Sequence, residues 1–221
     1  MIDSIFGFEP DPRTFAMMQT VARLSPKRPL RFNELSASHH ASGGAEVFPD
    51  YLNIALRRND INDKLLSHEL ANLLIELQHD YLAISDRIPR GTTDRRMIET
   101  LLSLFQHPEV FSIQREFGFD PRLANEKKLQ RFLDDFKTIP QPELAPPNVY
   151  IEKIQGFVEL QHLAPDDDRW SAITREFERY APQNYQIAQK VATIVSCYCE
   201  YPVARGAHKK LTCFRAAVTA A

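Results

Sequence analysis

The sequence predicts an α+β fold, mostly helical, in which a small N-terminal sheet packs on a central helix and further helices close the structure. Three observations carry this. Residues 63–83 hold apolar side chains at helical spacing around much of the circumference. Two short alternating segments, 30–35 and 51–57, precede them. Nearly everything after residue 93 has helical periodicity, interrupted by polar or proline-rich connections.

Asp11 and Pro12 suit the cap and first turn of a helix over 11–25, with Phe15, Met18, Val21, Ala22 and Leu24 near helical spacing; Pro26 and Pro29 stop it. Residues 30–35 alternate, so a short strand is expected, and Ser36 to Gly44 has the small polar composition of a loop. In 51–57, Leu52, Ile54 and Leu56 share one face of a second strand, and Tyr51, Asn53 and Ala55 the other. Asn59 to Asp63 is a polar turn into the central helix, whose stripe comprises Leu66, Leu70, Leu73, Leu74, Leu77 and Tyr81. A loop over 86–93 leads to a helix over 94–106. Pro108 is expected to break it and start another helix running to Phe117, with Gly118 as its stop. A helix over 123–137 follows. Four prolines in 138–148 mark the expected internal boundary, and helices over 149–163, 167–180 and 183–200 lie beyond it. The expected organisation is an α+β part over 1–138, a helical part over 149–205 and a tail over 206–221.

The chain has 221 residues, with 27 Lys and Arg against 29 Asp and Glu. A net charge of −2 gives no electrostatic reason to expect nucleic acid or an anionic membrane as partner. No apolar run approaches the roughly 18 residues that span a bilayer. The first residues, MIDSIFGFEPDP, lack the basic and apolar regions of a signal peptide. Three Cys make no disulfide framework, so a reduced, cytoplasmic location is expected. With 7 Gly and no GxGxxG or GxxxxGK[ST], phosphate-binding loops are excluded, and no GxSxG nucleophile elbow occurs.

The informative segment is SHELAN, residues 67–72, in the central helix. It resembles the HExxH metallopeptidases, the zincins, and among them the gluzincin type. The resemblance covers residues 46–120, roughly a third of the chain, and includes strand, polar turn, HELxx helix, loop and helix in that order, with QHPEV at 106–110 and EFGFD at 116–120. In such a helix two imidazoles at i and i+4 share a Zn²⁺, and the Glu at i+1 serves the metal-bound water as general base. His68 matches the first metal ligand and Glu69 the base; Asn72 occupies the second ligand position, so the motif is broken. Glu76 and His79 cannot replace it, because eight and eleven residues of helix separate them from His68 by about 12 and 16 Å. The resemblance implies a third ligand from a later helix. Glu99 is the first candidate for it and His107 the second; at about 12 Å apart along a helix they would not serve one metal.

Each residue also has an ordinary reading. Glu99 can pair with Arg95 or Arg96, His107 can hydrogen-bond at a helix junction, and His68 can be a polar residue at a buried pocket. His39 and His40 read as loop polar residues. Cys197, Cys199, His208 and Cys213 have spacing C-x-C-x8-H-x4-C, unlike structural zinc sites, and read as reduced thiols and a tail histidine. Asp166, Asp167 and Asp168 suit a turn at a helix N-terminus.

The expected function is a zincin-like domain with a degenerate site, catalytically inactive, holding no zinc or zinc only weakly, and binding or scaffolding a protein or peptide. An active zinc hydrolase is the enzymatic alternative, with Glu69 as base, His68 and Glu99 on the metal and a further ligand from 36–46. A helical interaction domain unrelated to zincins is the third.

Overall fold

The computed structural model describes residues 4–36, 43–79, 93–121, 126–138 and 147–199. The fold is α+β and mostly helical, with one small sheet. Its contacts divide into two compact units: unit 1 comprises Met1–Ala83 and Val110–Pro121, and unit 2 Ile84–Glu109 and Arg122–Ala221.

Unit 1 begins with α1, Pro12–Leu24. Asp11 caps it by accepting from the Thr14 backbone N–H at 2.8 Å, and Pro12, with no N–H to satisfy, starts the first turn. The buried face is Thr14, Met17, Met18 and Val21, a spacing of three and four. Leu24, expected on that face, is 45% exposed instead. The helix is tied to the next one through Asp63, whose Oδ1 accepts from the Asp11 N–H and from the Thr14 hydroxyl, both at 2.8 Å.

The sheet contains β1 (Leu30–Glu34), β2 (Gly43–Val47) and β3 (Leu52–Leu56), in the order β1-β3-β2. β3 runs parallel to β1, with Leu30 beside Leu52, and antiparallel to β2, with Gly43 beside Leu56 and Val47 beside Leu52. The central place of β3 explains its burial: Leu52, Ile54 and Leu56 are fully buried, and Asn53 is buried with its Oδ1 accepting from Asn33 Nδ2 at 2.8 Å. β2 corrects the expectation of a loop to Gly44. Its sequence, Gly-Gly-Ala-Glu-Val, lacks the alternation that reveals a strand, and pairing with β3 supplies the order that local propensity does not.

A 3₁₀ turn, Arg58–Asp60, leads to α2, Asp63–His79. Asn62 caps α2, its Oδ1 accepting from the Leu65 N–H at 2.9 Å. Leu66, Leu70, Ala71, Leu73, Leu74 and Ile75 are all buried, and the helix packs on α1, β2 and β3. Ser67, fully buried, accepts from Gln114 Nε2 at 2.8 Å and donates to the Lys64 carbonyl at 2.9 Å.

Helix α3 runs unbroken over Thr93–Glu116, with Pro108 inside it. The expected break is therefore absent. Proline removes one rung of the ladder, at a cost of about 3 kcal/mol, without forcing termination. The division between the units falls between Glu109 and Val110, just past this proline. Val110, Phe111 and Gln114 are buried, and Gly118, at φ 82°, ends the turn after the helix in a conformation that favours glycine.

Unit 2 adds α4 (Glu126–Thr138), α5 (Pro147–Leu163), α6 (Trp170–Tyr180) and α7 (Pro182–Cys199). Its core centres on Phe157, which meets Trp170 at 5.5 Å, Phe177 at 5.6 Å and Tyr185 at 5.8 Å between ring centroids. α6 shows why this folds as it does: Trp170, Ile173, Phe177 and Tyr180 recur at three and four along an otherwise charged helix. Asp167 shapes the turn before α6, accepting from the Arg169 N–H at 3.0 Å and from its guanidinium at 2.7 Å. The Arg169 hydrogen bonds hold this carboxyl down at about 2. Among the described residues no helix is long and apolar enough to cross a membrane.

Candidate functional site

The residues singled out by SHELAN lie on the buried central helix of unit 1. His68 is half-buried and Glu69 is 6% exposed. Glu69 faces β2 at Gly43: a Cβ there would stand 3.0 Å from Glu69 Oε1 and 3.1 Å from Leu65 Cδ1. The bare Gly43 backbone is what makes room for the carboxylate. Asn72, one turn on, donates from Nδ2 to Glu69 Oε2 at 3.4 Å. The residue at the second ligand position thus contacts the residue at the base position.

Two turns past Glu69 stands Glu76, with Oε2 buried and, among the described residues, without a hydrogen-bond partner. Burial, then the charges of Glu46 and Glu69, push its carboxyl up to about 7. Glu46 belongs to β2, so strand and helix place three carboxylates within electrostatic reach. The axial arithmetic that removes Glu76 from a metal site at His68 does not reveal this relation, which depends on how β2 lies beside α2.

Zinc needs a closely converging set of imidazoles, thiolates or carboxylates. Among the described residues no group of three His, Cys, Asp or Glu side chains has that arrangement. His68 offers one imidazole and Asn72 an amide turned to Glu69, which does not fit the zincin donor set.

The two candidates for a third ligand lie on α3, in residues assigned to unit 2. The Glu99 side chain lies outside what the structure describes. His107 has its Nε2 3.2 Å from Ser103 Oγ and its Nδ1 2.6 Å from Glu159 Oε1. Both ring nitrogens are engaged within unit 2. Ser103 was legible as a partner of His107 from its i, i+4 spacing; Glu159, on α5, was not. His39, His40, His208 and Cys213 lie outside the described residues, as do the side chains of Cys197 and Cys199.

Comparison of the chain with protein-family models, curated proteins and solved structures gives no match.

Proposed function

We propose that unit 1 is a zincin-like domain that has lost its metal centre and serves as a binding or scaffolding module for a protein or peptide in the cytoplasm. The Asn72–Glu69 contact supports this most directly. The amide at the second ligand position donates to the carboxylate at the base position, a pairing that suits a site without metal. The order strand, turn, helix from β3 to α2, with Glu69 against β2, fits the same ancestry. For binding, β2 is the relevant element. Among the described strands it pairs with β3 alone, and a strand edge can take an extended peptide through main-chain hydrogen bonds.

Asn72→His tests the ancestry. It restores imidazoles at i and i+4, so zinc affinity measured by isothermal titration should rise at least tenfold over the parent, as expected when even indirect ligand support is worth about 10–100-fold. Melting temperature should also rise with added zinc, because the metal binds the folded state. A folded variant that binds zinc no better than the parent would leave the helical interaction domain as the better description. Stoichiometric zinc in the parent, lost in His68→Ala, would instead favour the active hydrolase.

A further inference from the structure

In unit 2, α3 and α5 each present a polar pair at i, i+4 spacing: Ser103 and His107 on one, Gln155 and Glu159 on the other. The four meet. Ser103 Oγ lies 3.2 Å from His107 Nε2, and His107 Nδ1 lies 2.6 Å from Glu159 Oε1. Gln155 Nε2 donates to Glu159 Oε1 at 2.7 Å and stands 3.4 Å from Ser103 Oγ. We infer that Ser103, His107 and Glu159 form a serine-hydrolase triad, with Gln155 as the oxyanion donor, acting on carboxylic esters with a short acyl group.

The tautomer follows from the partners. A carboxylate only accepts, so Nδ1 carries the proton toward Glu159 and Nε2 keeps its lone pair for the Ser103 hydroxyl. Burial pushes the Glu159 carboxyl up, but the close His107 imidazole, with help from Gln155 and Lys128, holds it below its usual range. It therefore stays ionised opposite a ring that becomes cationic during reaction. The approach of Nδ1 is short but not in line for an N–H···O bond. Such misalignment is common before substrate binds.

Packing alone does not call for this arrangement. Ser103 is half-buried, and Gln155 Nε2 already stands 3.4 Å from its hydroxyl, so the imidazole is not its sole polar neighbour. His107 and Glu159 side chains are only 18% and 14% exposed, which strengthens their electrostatic interaction. A pair so little exposed suits a short acyl group better than a bulky one. The Ser103 amide sits within the helix ladder, so an oxyanion has the Gln155 side-chain amide as its donor.

The chemistry balances. Ser103 Oγ bonds to the ester carbonyl carbon as its proton passes to His107 Nε2. The carbonyl π pair moves to oxygen, beside the Gln155 N–H. Collapse breaks the bond to the alkoxy oxygen, which takes the proton from Nε2 and leaves as alcohol. Water then attacks the acyl-serine, giving its proton to Nε2, and Ser103 Oγ departs with that proton. Ester and water become acid and alcohol.

The test uses the full chain with p-nitrophenyl acetate and, separately, a fluorophosphonate ester. One phosphonyl adduct per chain should form, and peptide mapping should place it on Ser103. Hydrolysis should be saturable and fall about a hundredfold or more in Ser103→Ala and in His107→Gln, the usual worth of a general base. Glu159→Gln should lower kcat while KM stays unchanged, the mark of a positioning residue rather than of general loss of structure. Folding of each variant is checked by circular dichroism. An unlabelled Ser103 in the folded parent overturns the proposal, as does a Ser103→Ala protein that hydrolyses the ester as fast as the parent. Neither result bears on the zinc titration of Asn72→His, which concerns unit 1.

Discussion

Asn72 donates from Nδ2 to Oε2 of Glu69 at 3.4 Å, one helical turn apart on α2. Glu69 is 6% exposed, so a donor there counts for more than it would at the surface. Asn72→Asp replaces the donor with a second carboxylate. At pH 7 the variant should lose about 1–3 kcal/mol in a denaturant titration, the usual cost of leaving a buried polar group without its partner. Mutual repulsion raises the pair's proton affinity in the folded state, so the deficit should shrink toward pH 4. Asn72→Ala, which removes the donor without adding charge, should lose less at pH 7 and show a smaller change with pH. Equal stability of Asp and Ala variants at pH 7 would contradict this account of Glu69.

Gly43 and Gly44 are adjacent in β2 but have opposite surroundings. A Cβ on Gly43 meets Glu69 Oε1 at 3.0 Å and Leu65 Cδ1 at 3.1 Å, whereas one on Gly44 meets nothing within 4 Å. Gly43→Ala should therefore destabilise unit 1 by about 1–3 kcal/mol, as overpacking does. Gly44→Ala should be neutral or stabilising by up to about 1 kcal/mol, because it restricts the unfolded chain. Chemical denaturation of the pair checks the contrast, and equal effects would show that Glu69 does not press on the strand.

The same contrast between local rule and neighbourhood explains what the sequence disclosed. β3 and α2 were legible because alternation and helical periodicity express burial directly, and Leu52, Ile54, Leu56, Leu66, Leu70 and Leu73 are fully buried. β2 was hidden because Gly43, Gly44 and Ala45 have little side chain through which to show a pattern. Pro108 misled because a rule about one residue competes with a long helix on both sides of it. In the candidate site, Glu69 and Asn72 are three apart on one helix, so their meeting was implicit in the motif. The reach of Glu46 to Glu76 and of Glu159 to His107 depends on tertiary placement, which periodicity does not encode.

In unit 2, Gly156 lies inside α5, where alanine would ordinarily be better by about 1 kcal/mol. A Cβ at that position, however, would stand 2.9 Å from Cε2 and 3.2 Å from Cδ2 of Phe132 on α4. Phe132 is itself packed edge-on to Phe177 at 6.2 Å, so the ring cannot move freely. Crowding of about 1–3 kcal/mol should outweigh the helix gain, and Gly156→Ala should lower the melting temperature. Adding Phe132→Leu should recover part of the loss and yield a non-additive cycle. A Gly156→Ala protein more stable than the parent would mean that α4 and α5 pack less closely at this point.

Glu76 provides the pH prediction. Its carboxyl stands at about 7 in the folded protein against 4.5 for an ordinary Glu, through burial first and then the charges of Glu46 and Glu69. Below 4.5 the group is neutral in both folded and unfolded chains, and it has no differential effect. Between 4.5 and 7 the folded state keeps a proton that the unfolded state has released, so unfolding free energy falls as pH rises. Above that window both states are ionised and the full penalty remains, at most about 3 kcal/mol for a separation of this size. Glu76→Gln stays neutral throughout, and its amide can donate toward the neighbouring carboxylates. Its advantage over the parent should be near zero at pH 4, grow through pH 7 and level off at pH 8. Hydrogen exchange of the α2 amides reads this locally, which suits a chain of two units whose melting need not be one transition. Protection of α2 that is the same in parent and variant at pH 8 would show that the Glu76 carboxylate is ionised at no cost to the fold.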